Sequence, residues 1–174
     1  MKLKEKISYR ELEKLPEGNY EVIDGEVVEL APTGFEHGEY ELGIGSFLRK
    51  ALKDRGYVAV GEVGVLISKE PLRIRSADVV YISKERAGGR PTGILEVPPE
   101  LVIEIISPSN TYTEVEEKVM DYLRAGVERV LLIDPKLKQS TLFKKGRREA
   151  EIYSFEEELE LLPGLRVKLS EVLS

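Results

Sequence analysis

Five side chains with acid, base or ligand chemistry fall where the surrounding pattern leaves little room for water. Glu104 lies within Leu101-Val-Ile-Glu-Ile-Ile106, a single charge in an aliphatic run. Such a run reads as a strand covered on both faces, and a carboxylate there costs several kcal/mol unless it is paired or coordinated. Glu104 therefore needs a site partner, a structural ion pair, or an escape to solvent at the strand end. Asp78 opens Asp78-Val-Val-Tyr-Ile82 after the alternating Leu72-Arg-Ile-Arg-Ser-Ala77. Asp is disfavoured in strands, and this chain holds 27 Glu against five Asp. A site demanding the shorter acid explains Asp78, as does a strand-start turn residue bonded to backbone donors.

Lys118 follows Val115 and precedes Tyr122 at helical spacing, on the border of an apolar stripe that includes Val119 and Leu123. Its ammonium can reach back towards the strand end that carries Glu104, or snorkel to solvent. His37 starts another helical segment with Glu41 one turn later. An imidazole there can meet a helix N–H, bind a metal or carry a proton; Glu41 is either an extra carboxylate of the site or part of a solvated face. Two acids from neighbouring strands and a lysine from the adjacent helix suit a hard divalent cation held through oxygen. Such an ion lowers the pKa of water and neutralises phosphoryl charge, and a lysine beside it stabilises the transition state. The set fits phosphodiester hydrolysis.

The elements that must position these groups are legible in outline. Ser8 to Leu15 reads as a short helix with a Ser8/Glu11 capping box. Tyr20–Ile23 and Glu26–Leu30 flank Asp24-Gly25, a strong hairpin signal. Helical spacing runs from His37 to Leu52, with Gly56 as its stop. Strands are expected at Val58–Ser68, Asp78–Ile82, Leu101–Ile106 and Arg129–Ile133, with a helix from Thr113 to Ala125 stopped by Gly126. Gln139–Lys144 and Ala150–Ser154 form a hairpin about Lys145-Gly-Arg-Arg148, and Leu169–Leu173 a terminal helix. The class is α/β or α+β, one domain over residues 1–174 with a mixed sheet flanked by helices.

Composition narrows the chemistry. The 174 residues include no cysteine and one histidine, which excludes thiolate clusters, a cysteine nucleophile and multi-histidine metal cages. No apolar run is long enough to span a bilayer and the N-terminus is not a signal peptide, so a cytoplasmic protein away from membranes is expected. The net charge of −6 argues against a surface built wholly for nucleic acid but allows a local basic groove. Abundant Glu and Lys with few amides is the composition of a heat-adapted source.

The succession Tyr20-Glu-Val-Ile-Asp-Gly-Glu26, His37, Ala77-Asp78-Val79, Val102-Ile-Glu-Ile-Ile-Ser-Pro-Ser109, Lys118, Tyr122, Ala125-Gly-Val127 and Leu132-Ile-Asp-Pro135 resembles the Uma-two family. These are restriction-endonuclease-like proteins of the PD-(D/E)XK nuclease superfamily. The resemblance runs from about Ser8 to the C-terminus. It implies a restriction-endonuclease-like core and a Mg²⁺ (or Mn²⁺) site. Asp78 and Glu104 match the metal-binding acids, Lys118 the catalytic lysine, and His37 a histidine near the site. Glu41 and Tyr122 are accessory candidates. Two departures stand out: Ala77 occupies the usual proline position, and Ile106 the usual lysine position, which transfers that lysine's role to Lys118.

The implied function is metal-dependent cleavage of DNA, with a homodimer cutting two strands. Arg73, Arg75, Lys144, Lys145, Arg147 and Arg148 are the candidates for holding the DNA backbone, although the Lys145–Arg148 turn also reads as a solvated hairpin tip. The rival readings are an inactive nucleic-acid- or protein-binding module on the same fold, and a hydrolase of another phosphoester.

Overall fold

A computed structural model describes residues 5–173. A 3-10 helix, Tyr9–Lys14, starts with the Ser8/Glu11 capping box and leads into the hairpin β1 (Tyr20–Ile23) and β2 (Glu26–Glu29). Asp24 and Gly25 both take positive φ at its tip, as the two-residue turn requires. Helix α1 (Phe35–Leu52) follows, then β3 (Gly56–Ser68), β4 (Arg73–Ser83) and the one-turn helix α2 (Lys84–Ala87). Strand β5 (Leu101–Ile105) connects through α3 (Tyr112–Ala125) to β6 (Arg129–Asp134). Two hairpins close the chain, β7 (Gln139–Lys144) with β8 (Glu151–Ser154) and β9 (Glu158–Leu162) with β10 (Leu165–Lys168), before α4 (Leu169–Val172).

Eight strands form one mixed sheet in the order β2-β1-β4-β5-β6-β7-β8, with β3 paired to β4. Only β5 and β6 run parallel, as the α3 crossover between them dictates. Ile44, Leu48 and Leu52 of α1 pack on Val79, Leu101, Ile103, Leu131 and Ile133 from one side, where β9, β10 and α4 complete the core. Val119 and Tyr122 of α3 cover Val80, Val102 and Val130 from the other. The expected mixed sheet flanked by helices is therefore the architecture, and β5 is buried along its whole length because helices cover both faces.

Two boundaries and one hairpin differ from expectation. Gly56 does not stop α1; it opens β3, where an added Cβ would sit 2.4 Å from the Ile82 carbonyl oxygen, so strand packing demands it. Strand β4 begins at Arg73, so Asp78 lies inside it rather than opening it. The β9–β10 hairpin falls outside the elements assigned from sequence. No helix among the described residues is long and apolar enough to cross a membrane.

One feature of the sheet positions the chemistry. Strand β3 follows one edge of β4 from Gly56↔Ser83 to Ser68↔Arg73. The other edge is divided: β5 pairs with Val79–Tyr81 and β1 with Ile74. Between them, residues 75–78 have no strand partner on that edge, and buried backbone groups in such a gap must bond to something else.

Candidate metal centre

Side chains fill the gap. Asp78 Oδ2 accepts the Ile105 N–H at 2.7 Å, replacing a ladder bond where β4 and β5 separate. Glu21, from β1, accepts the Ser76 N–H at 2.9 Å. The Ser76 carbonyl, left without a strand, accepts from Lys118 Nζ at 2.6 Å. That ammonium also stands 3.1 Å from the Glu104 carboxylate and 3.6 Å from Glu21. The Tyr122 hydroxyl donates to Glu104 Oε1 at 2.7 Å. The partners that Glu104 requires are thus Lys118 and Tyr122, one turn apart on the face of α3 that meets the sheet.

On the other side of Asp78 a second group converges. His37 Nε2 lies 3.1 Å from Asp78 Oδ1 and 3.3 Å from Glu41 Oε1, the last two residues buried. Glu62 joins them from β3, where the register shifts between Val60 and Val63 and both Gly61 and Glu62 take positive φ, +89° and +59°. A bulge of this kind re-aims a side chain. One donor atom from each of His37, Glu41, Glu62 and Asp78 lies within 4.8 Å of every other.

The charges of this cluster shape one another. Burial works to raise the Asp78 carboxyl, but the His37 imidazolium beside it at 3.1 Å and the bond from the Ile105 N–H hold it below the usual range. Burial, then the negative charges of Asp78 and Glu41, push Glu62 up to about 7 against the pull of Lys118. Asp78 first and Glu41 second hold the His37 imidazolium to about 10, against its burial. Burial pushes Glu104 up to about 8 although Lys118 and Tyr122 pull it down. Burial alone would lower Lys118, yet the carboxylates of Glu104, Glu21 and Asp78 keep it above the ordinary lysine range.

Whether a divalent cation fits can be judged from the donors. His37 Nε2 and Glu41 Oε1 are buried, and neither makes an aligned hydrogen bond despite their short separations. The His37 nitrogen stands 3.1 Å from the Asp78 oxygen and 3.3 Å from the Glu41 oxygen, close enough for the three to share one ion. Two ligands at right angles around an ion with bonds of 2.0–2.1 Å stand about 3 Å apart. The donor set fits a divalent cation. Asp78 belongs to it, whereas Glu104 is committed to Lys118 and Tyr122 and is not one of its four members.

The basic candidates scatter. Arg73 and Arg75 are not free for a phosphate backbone: their Nε atoms both donate to Asp121 Oδ2 at 2.7 Å, and they also meet Glu117, Asp24 and Glu21. Lys144 pairs with Glu151 at 3.0 Å and Lys145 lies 4.0 Å from Glu128. Arg147 and Arg148 are exposed. The register places Lys144 opposite Arg129, at the start of β6, while Glu104 is level with Leu132, so this turn sits towards the opposite end of the sheet.

Sequence reasoning missed Glu62, Glu21 and Asp121. For Glu62 a signal existed, since an isolated glycine within a strand pattern marks a bulge and Gly61 immediately precedes it. For Glu21 and Asp121 there was none, because their partners are at least 46 residues away.

Comparison with known proteins agrees with this architecture. No curated protein matches the chain. Among solved structures, a crystal structure described as a "putative nuclease belonging to DUF820" from Anabaena variabilis ATCC 29413 superposes with a TM-score of 0.82 at 20% identity, covering 96% of this chain and 97% of that one. At that identity the likeness is one of fold. The family model Uma2, "Putative restriction endonuclease", matches residues 8–173. With nearly its whole length matched, this chain belongs to the Uma2 (Uma-two) family of restriction-endonuclease-like proteins.

Proposed function

We propose that the chain is a metal-dependent endonuclease that hydrolyses DNA phosphodiester bonds at the centre formed by His37, Glu41, Glu62 and Asp78. The observation that carries this reading is the convergence of those four donors, two with buried, unpartnered atoms, beside the Lys118–Glu104 pair. A divalent ion held there supplies Lewis-acid polarisation of a phosphoryl oxygen and a more acidic water. Lys118 contributes a fixed positive charge towards the reacting phosphate, and its position is set by the Ser76 carbonyl, Glu104 and Glu21. Glu104, held by the Tyr122 hydroxyl, keeps the ammonium directed at the site. Asp78 joins the two halves, touching His37 on one side and the β5 backbone on the other. A homodimer would bring two such centres to the two strands of a duplex.

The test is cleavage of supercoiled plasmid, single-stranded DNA and a small phosphodiester in Mg²⁺ and Mn²⁺. The wild type is compared with Asp78→Ala and Lys118→Ala. Cutting of DNA that chelator abolishes, lost in Asp78→Ala together with metal binding and in Lys118→Ala with metal binding kept, is the expected result. Cutting of the small ester alone would favour the phosphoesterase reading, and cutting unaffected by either substitution would overturn the proposed site.

A further inference from the structure

We propose that His37 Nε2 is itself a metal ligand, and that this nitrogen makes the centre select Mn²⁺ over Mg²⁺. The inference rests on the metal-dependent reading above and specifies its cofactor. Two buried atoms of the cluster have no hydrogen-bond partner, His37 Nε2 and Glu41 Oε1. They sit one helical turn apart on α1, so the helix backbone fixes their spacing, and Glu41 is only 8% exposed. The orphaned oxygen belongs to a carboxylate that faces the cluster rather than water. A lone pair on Nε2 directed at the same point would satisfy both atoms at once.

The donor chemistry then separates the candidate ions. Mg²⁺ is a hard ion that prefers oxygen and keeps several waters. Imidazole nitrogen suits first-row transition ions, whereas carboxylates suit Mg²⁺, Ca²⁺ and Mn²⁺. Three carboxylates with one imidazole form a mixed set, and of Mg²⁺ and Mn²⁺ it is the transition ion Mn²⁺ that accepts the nitrogen as well as the oxygens. The competing arrangement is an imidazolium that clamps Asp78 and Glu41 as a cation. It has no lone pair to give, and the ion would then rest on oxygen alone.

Because His37 is the only histidine, an imidazole nitrogen signal from an untagged chain has one source. The experiment is pulsed electron paramagnetic resonance of the Mn²⁺-loaded protein without DNA. It is paired with calorimetric titration of Mn²⁺ and Mg²⁺ into wild type and His37→Gln. A directly bound nitrogen gives a ¹⁴N hyperfine coupling that changes to the ¹⁵N pattern on histidine labelling and disappears in His37→Gln. The preference for Mn²⁺ over Mg²⁺ should fall by more than about tenfold in the variant, equivalent to ~1.4 kcal/mol. Mn²⁺ bound without nitrogen coupling in the wild type would overturn the inference and leave the metal-dependent reading standing. An unchanged preference in His37→Gln would do the same. No Mn²⁺ binding by the wild type would overturn both. The wild-type spectrum decides the matter even if the variant folds poorly.

Discussion

Replacing Asp121 by Asn should destabilise the protein by about 3 kcal/mol. The carboxylate is nearly inaccessible, with 6% of its side chain exposed, and its Oδ2 accepts from the Nε of both Arg73 and Arg75 at 2.7 Å. Those contacts bind α3 to β4, one turn from Lys118. Asn keeps the shape but removes the charge and turns an amide towards two guanidinium groups. Removing one partner of a buried pair costs roughly 3–5 kcal/mol. The lower end applies here because Arg73 keeps Glu117 at 2.6 Å and Asp24 at 3.3 Å, while Arg75 keeps Glu21 at 3.4 Å. Equilibrium urea unfolding reads the effect: with a slope of about 2 kcal/mol per molar, the midpoint should drop by ~1.5 M. Glu117→Gln, at a half-exposed carboxylate, is the control and should lose less than about 1 kcal/mol. An Asp121→Asn loss in that same small range would refute the idea that this cluster is a buried clamp.

Further consequences concern the site itself. Tyr122→Phe removes a buried bond to Glu104 and should cost about 1.5–3 kcal/mol. The Glu104 value is raised on folding, so its contribution to stability is present below pH ~4.5 and lost as pH rises through about 8. Without the hydroxyl the value rises further, and the variant's deficit should be larger at pH 9 than at pH 5; a deficit independent of pH would contradict this. In chelator, wild-type melting temperature should fall from pH 5 to 9, because Glu62 (about 7) and His37 (about 10) are also raised on folding and act in the same direction. Saturating Mn²⁺ should flatten that decline, and a melting temperature that rises with pH in chelator would count against the assigned environments. Gly61→Ala places a side chain at φ +89°, a strain of about 1–2 kcal/mol, and by disturbing the bulge should weaken Mn²⁺ binding in calorimetry.

Much of the frame was local and therefore legible. The Ser8 capping box, the Asp24-Gly25 turn and the apolar stripe of α3 are interactions between near neighbours, and each appears where the pattern places it. The conflict between Glu104 and its aliphatic surroundings correctly signalled a need for partners, and Lys118 with Tyr122 meets it. What stayed hidden depends on distant strands meeting. Arg73 and Arg75 alternate along β4 as a solvated edge would, and nothing near them reveals that Asp121 lies across the sheet. The grouping of Asp78 with His37, Glu41 and Glu62 was equally invisible, because it depends on the bulge at Glu62 and on the placement of α1. The β9–β10 hairpin, by contrast, carries a local signal, the alternation of Glu158–Leu162 before Pro163-Gly164.

The central claim is the location of the ion, and anomalous diffraction from Mn²⁺-soaked crystals tests it most directly. The account predicts a peak within bonding distance of His37 Nε2, Glu41, Glu62 and Asp78, with Lys118 still on Glu104. A peak lying between Asp78 and Glu104 with His37 turned away, or no peak in this part of the molecule, would contradict it.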